Sequence, residues 1–137
     1  MNTTQITINL DDILNRIYAE SAWHTAYRKG AYTLTPDNAA MLEMRIADGL
    51  SDLRSRMAGY VKFWNYNPNI PDGNITIELK FEKPVPDGTG DTLKGAITEL
   101  LAFYALMCFY GEKDTYYGTG WRLHRTKVML VLSLDTL

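Results

Sequence analysis

Apolar positions recur at helical spacing in three parts of the chain and alternate in three others. The longest apolar stretch runs from Asp91 to Gly111. Leu93, Ala96, Ile97, Leu100, Tyr104, Met107 and Cys108 fall there at helical spacing, and no residue from Leu100 to Tyr110 is charged or strongly polar. A helix apolar on every side must be covered on most of them, so this segment is expected at the centre of the fold or of an assembly. Upstream, Leu10, Ile13, Leu14, Ile17 and Ser21 trace one face of a helix from Leu10 to Lys29. Asn9 is its expected cap, Asp11 and Asp12 face the positive end of its dipole, and Gly30 follows its end. Thr35 and Pro36 open a second helix with the apolar face Ala39, Leu42, Ile46, Leu50, Leu53, Met57, Tyr60, Val61 and Trp64. This periodicity predicts a helix of about 28 residues, ~42 Å long, able to project beyond its own core.

The alternating segments predict strands. Ile6 and Ile8 flank Thr7 in a short strand or extended arm. After the turn-rich stretch from Asn65 to Asn74, Ile75, Ile77, Leu79 and Phe81 alternate with Thr76, Glu78, Lys80 and Glu82, as in a half-buried strand. From Trp121 to Asp135 the pattern reads as a last strand, with Val128, Leu130, Leu132 and Leu134 on one face and Lys127, Met129, Val131 and Ser133 on the other. Apolar on both faces, it would sit centrally in a sheet or be covered by a partner. It could pair with the strand at 75–81 in either direction. The expected class is α+β, in the order β-α-α-β-α-β, with a three-helix core, a long second helix and a small sheet. The chain reads as one domain, 1–137, with an N-terminal arm at 1–9 and a C-terminal strand or arm at 122–137.

Composition changes this picture little. Apolar residues make up 46% and charged residues 22%, as expected for a folded chain. The net charge of −2 gives no long-range pull towards nucleic acid or an anionic membrane. Cys108, the single cysteine, cannot form an internal disulfide and is expected to be a small buried hydrophobe. The N-terminal M-N-T-T-Q lacks the basic and apolar regions of a signal peptide. The uncharged run from Leu100 to Tyr110 falls short of the ~20 residues a spanning helix needs, so no membrane role is expected.

Candidate chemistry is sparse. Asp87-Gly88-Thr89-Gly90-Asp91 lacks the longer glycine pattern of a phosphate cradle and the ligand spacing of a calcium loop, and reads as a strand-to-helix turn. His24 and His124 have no zinc-type partners at recognisable spacing. No catalytic residue, metal ligand or cofactor site is therefore expected. Arg122, His124, Arg125 and Lys127 lie beside Trp121, with Tyr116 and Tyr117 just upstream. Basic residues among aromatics can bind single strands of nucleic acid, but in an acidic chain a solvated end or a contact to an acidic partner surface fits better. Nine tyrosines and three tryptophans, several near element ends, suit protein interfaces. The expected interface residues are Tyr60, Trp64, Tyr110, Tyr116, Tyr117 and Trp121. Arg122, Arg125, Lys127, Met129 and Val131 complete the set.

Two segments resemble a known family. T-P-D-N-A-A-M-L-E-M-R-I-A-D-G-L-S-D-L-R-S-R-M-A-G-Y, from Thr35 to Tyr60, resembles the long helix of small head–tail connector proteins of tailed bacteriophages. The segment from Val85 to Lys113 is similar to that family's next helix, through Leu93, Lys94, Ala96 and Ile97 and the ending Tyr110 to Lys113. The strands depart from the simplest helical connectors and leave room for a tail-completion protein. The resemblance implies a non-enzymatic virion structural protein, assembled in the bacterial cytoplasm, that forms a ring at the head–tail interface. Its implied partners are copies of itself and neighbouring neck, portal and tail proteins, with DNA passing non-specifically through the ring. The alternative is a small soluble adaptor that binds a protein or peptide through the Tyr116–Lys127 region.

Overall fold

The structure, a computed structural model, describes residues 2–27, 33–65, 74–111 and 115–133; for Asn2, 62–65 and Thr115 it describes the backbone alone. Along the chain run β1 (Asn2–Asn9), α1 (Leu10–Tyr27), a single 3-10 turn (Pro36–Asn38), α2 (Ala39–Arg56), β2 (Val61–Asn65), β3 (Asn74–Phe81), α3 (Thr89–Tyr110) and α4 (Thr115–Ser133). The class is α+β: four helices and one small antiparallel sheet.

The central helix is where its composition demands. Leu93, Ala96, Ile97 and the run Leu100 to Phe103 are buried, as are Ala105 and Leu106. α3 packs against α1, α2, α4 and β1. Among the described helices it alone has the length and apolarity to cross a membrane, and half of its most apolar window is buried within this fold. Its entry is the Asp87–Asp91 turn. Gly88 sits at φ 86°, where a side chain would be strained, and its carbonyl accepts from Thr92 N at 3.0 Å.

β1 runs directly into α1. The Asn9 side chain accepts from Asp11 N at 2.8 Å, which caps the helix. Leu10, Ile13, Leu14, Ile17, Ser21 and His24 form the buried face of α1. The C-terminal signature of this helix, Arg28 to Gly30, lies outside the described residues. Thr35 is a cap as expected, though of the 3-10 turn that leads into α2, and it forms a box with Asn38: Thr35 Oγ1 accepts from Asp37 N at 3.3 Å, and Asn38 Oδ1 accepts from Thr35 N at 3.1 Å.

The sheet has the order β1-β3-β2, antiparallel throughout. β3 keeps the predicted alternation, with Ile75, Ile77, Leu79 and Phe81 all buried. Ile6 pairs with Ile77 and Ile8 with Ile75. Residues 2–9 are thus an integral edge strand rather than a free arm.

Two further expectations are corrected. The second helix is not long: it stops at Arg56, turns through residues 57–60 and continues as β2. Gly59 weakens a helix there, and Tyr60-Val61-Lys62-Phe63-Trp64 is β-branched and aromatic, suited to a strand. β3 supplies the open edge: Lys80 N donates to Tyr60 O at 2.7 Å, and Trp64 pairs with Ile77. The C-terminal segment is not a strand. Residues 115–133 form α4, packed along α3, so the β-α-α-β-α-β order and the three-helix core give way to four helices. Residues 134–137 of the expected strand lie outside the described residues. The run Val128-Met129-Leu130-Val131-Leu132 fits either period, and tertiary packing decides. Tyr117, Val128 and Leu132 are fully buried on the face that meets α3.

Two glycines of α4 lie beside α3, and they differ in how much room they have. A Cβ on Gly120 would run into the Phe103 ring, whereas one on Gly118 would meet only the Met107 thioether and the Arg122 side chain at ordinary distances of 3.6–3.9 Å. Phe103 cannot easily yield, being 5% exposed and held between Tyr116, Tyr117 and His124. Gly120→Ala is expected to lower stability by about 1–3 kcal/mol through overpacking. Gly118→Ala should instead raise it by up to about 1 kcal/mol, since alanine is the better helix former. Urea midpoints of the two variants check this; equal shifts would show that the helices are not packed this closely.

Candidate functional site

The inner face of α4 closes over a polar and aromatic knot. Ser21, with no exposed surface, sits at its centre. Its hydroxyl accepts the buried Leu34 N–H at 2.7 Å and shares a 2.7 Å hydrogen bond with the Tyr110 hydroxyl. Tyr110 stacks on Tyr117 at 5.6 Å between ring centres, and His24 lies 4.2 Å from Tyr110 and 5.4 Å from Tyr117. The Tyr117 hydroxyl donates to Glu20 O at 3.5 Å. The knot thereby joins α1, α3, α4 and the segment before α2. Ser, His and Glu are residue types that hydrolases use, but a nucleophile must reach its substrate. Ser21 is fully buried with its hydroxyl engaged on both sides, which makes it a strut between helices.

A charged bridge borders the knot. Arg16 donates to Glu99 on α3 and to Glu20 on α1, each at 2.7 Å. The bond to Glu99 does most to hold the guanidinium above its usual range, so Arg16 stays charged. Its guanidinium lies 5.8 Å from the Phe103 ring centre, and His124 meets the same ring edge-on at 5.1 Å. Cys108 departs from its expected burial and is exposed. Its thiol is still desolvated by its neighbours, which pushes its pKa up and keeps it a poor nucleophile. Among the described residues, no group of three or more His, Cys, Asp or Glu could hold a metal ion.

The structure spreads the expected interface residues over different surroundings. Tyr117 is fully buried, and Met129 and Val131 are partly buried against the core on a helix, not on a face of the expected strand. Tyr110 is half-buried in the knot. Tyr60 lies at the α2–β2 turn, half-buried and 6.3 Å from the Phe81 ring. Trp64 is described by its backbone alone, opposite Ile77. Trp121 is half-buried edge-on to Tyr104, with the Arg125 guanidinium 4.7 Å over its ring, a cation–π pair. Tyr116, Arg122 and Lys127 are exposed on α4.

The outer surface holds residues the sequence reasoning missed. Leu123 is 65% exposed and Leu130 62% on α4, and Met44 is 68% exposed on α2 beside Met41. Trp23 and Tyr27 are exposed on α1, their rings 5.0 Å apart, and Trp23 lies 6.0 Å from Tyr116. A helical reading of 115–133 would have found Leu123 and Leu130, since they lie seven residues apart and on the side opposite Tyr117, Val128 and Leu132. The site is therefore a surface: an aromatic patch shared by α1 and α4, continued by leucines along α4, with α2 carrying a separate apolar spot. No protein-family model, curated protein or solved structure matches this chain.

Two expectations test the knot. Ser21→Ala removes the acceptor of the buried Leu34 N–H and should cost about 1–3 kcal/mol, read as a lower urea midpoint; an unchanged midpoint would show that Ser21 ties nothing. His124 sits below its usual pKa of 6.5, chiefly through burial; Glu99 opposes the shift, and Lys127 and Arg16 add to it. The folded state thus favours the neutral ring, and this contribution is complete above the unfolded pKa and lost as pH falls through the folded one. The urea midpoint should decline between about pH 7 and pH 5, and His124→Leu should flatten that decline.

Proposed function

We propose that this chain is a non-enzymatic assembly protein. Joined to the pattern in residues 35–60 and 85–113, the reading becomes a virion structural protein of a tailed phage, forming a ring at the head–tail interface as a connector or tail-completion protein. The observation that carries it is the large apolar surface left exposed on two separate faces: Met41 and Met44 on α2, and Trp23, Tyr27, Tyr116, Leu123 and Leu130 on α1 and α4. α2 and α4 both pack against α3, and their outer faces point away from it. Extended apolar surface on a small domain marks sites of association. A head-to-tail ring needs two different patches on each subunit, which this layout supplies. The partners in this reading are copies of the chain and the neighbouring neck, portal and tail proteins. DNA passes through the ring, and no membrane is involved.

Light scattering after size exclusion, over a range of concentrations, tests the self-assembly step. A discrete closed oligomer is expected, and Met44→Glu should reduce it to smaller species by placing a charge in the contact. A monomer at every concentration would overturn the ring and leave a small adaptor as the better reading.

A further inference from the structure

Read in heptads, α4 has a second organised face. Tyr116, Leu123 and Leu130 recur at every seventh residue, and all three are exposed. With these at position a, Thr119, Thr126 and Ser133 occupy d, Lys127 falls at e and Arg122 at g. Arg122, Lys127, Thr119 and Thr126 are all exposed. The face is thus a narrow stripe of large apolar residues alternating with hydroxyl residues, with a lysine on one border and an arginine on the other. No carboxylate occurs anywhere in α4. The buried residues Tyr117, Val128 and Leu132 lie on the opposite side, so the domain's own packing uses only one end of this stripe, where the Tyr116 ring lies 6.0 Å from those of Phe103 and Trp23, and leaves Leu123 and Leu130 largely uncovered.

Charge decides which helix can lie there. In a parallel pair, g of one helix meets e of the next heptad on its partner. A second copy would set Arg122 of each chain against Lys127 of the other. In an antiparallel pair, g meets g and e meets e: one register opposes Arg122 to Arg122, another Lys127 to Lys127, and none gives either cation a carboxylate. Neither arrangement supplies an opposite charge, which counts against self-pairing. The α2 helix of another copy is no better suited. Its Glu43, Asp48 and Asp52 are balanced by Arg45, Arg54 and Arg56. Asp48 and Asp52 are already paired with Arg45 and Arg56, at 3.3 and 3.0 Å.

We propose that the solvent face of α4 is one half of a two-helix seam, and that its occupant is an amphipathic helix of a different polypeptide with glutamate or aspartate on both borders of its apolar stripe. This deepens the assembly reading and rests on it for the premise that the chain binds protein. Ring contacts then use the Met41–Met44 spot on α2 and the exposed Trp23 and Tyr27 on α1, and the leucine stripe of α4 is reserved for a neighbour.

The test uses the full chain and three labelled synthetic helices of about three heptads. The first has leucine at a and d with glutamate at e and g. The second replaces glutamate by lysine, and the third replaces leucine by serine. Fluorescence anisotropy should show binding of the glutamate helix, weakened by salt, with the other two at least about tenfold weaker. Leu123→Ser with Leu130→Ser should weaken it about tenfold or more, with an unchanged thermal transition because both side chains are exposed. Arg122→Glu with Lys127→Glu should reverse the preference towards the lysine helix. Equal binding of the glutamate and lysine helices, or binding of neither, overturns the proposal. So does an oligomer that dissociates in the Leu123→Ser, Leu130→Ser protein, since a second copy would then occupy α4 and the ring reading would stand. A monomer that binds the glutamate helix separates the two the other way: the seam stands and the ring falls.

Discussion

A helical stretch with no polar side must be enclosed, and the second half of α3 is such a stretch. From Leu100 to Tyr110 its sequence offers water nothing but two tyrosine hydroxyls and a thiol. The other elements are arranged by the need to cover it: α1, α2 and α4 on its flanks, and the sheet through β1. At about 25 cal/mol per Å² of apolar surface removed from water, side chains such as Leu100, Leu101 and Leu106 each contribute roughly 1.5–3 kcal/mol when buried. That driving force selects no direction. Specificity comes from shape: Gly120 admits the Phe103 ring, and Gly49 lies where a Cβ would press on Leu101 and Tyr104 at 3.1–3.2 Å. Small residues on the covering helices, facing large ones on α3, set how near each helix can come.

The knot around Ser21 supplies the orientation that burial alone does not. Apolar helices can slide along one another at little cost, whereas hydrogen bonds have a distance and an angle. Ser21 bonds to Tyr110 near the end of α3 and to Leu34 before α2, and Tyr117 reaches Glu20 from α4. Arg16, held by both Glu20 and Glu99, repeats the tie between α1 and α3 nearer the surface. Its value in stability is modest at that exposure, but it adds a second point of registry between the same helices.

Local chemistry was legible in the sequence where it acts alone. Asn9 and Thr35 as caps, the turn before α3, and the buried alternation of β3 each follow from a few neighbouring residues, and each is present. The misreadings occur where a distant partner decides. The apolar period of α2 continues past Arg56 on paper, yet β3 takes residues 61–65 as an edge strand. α4 is hard to see in the sequence because Gly118 and Gly120 are poor helix formers, and Gly120 is needed where the helix lies against Phe103. Taking the segment from Trp121 instead of Thr115 then left an apolar run too short to separate the two periods. The same error set Leu130 on one strand face with the buried Val128 and Leu132, and so hid the outward position it shares with Leu123.

The glycine contact also bears on what α4 can do outside the core. Phe103 fills the space beside Gly120 and leaves α4 little freedom to slide or rotate. Tyr117 below and Val128 and Leu132 above fix the remaining turns. The outward stripe is therefore held rigidly, with Arg122 and Lys127 at set positions along its borders. A binding surface that is ordered before its partner arrives loses less entropy on association, which matters most for a narrow contact with few large side chains. Two flanking cations on so short a helix are weak determinants if mobile, because exposed ion pairs gain little once two long side chains must be ordered. On a helix clamped by its inner face they become a spacing that a partner's carboxylates can match. The residues that bury α4 and those proposed to bind through it thus form one device: the inner face sets the register, and the outer face presents it.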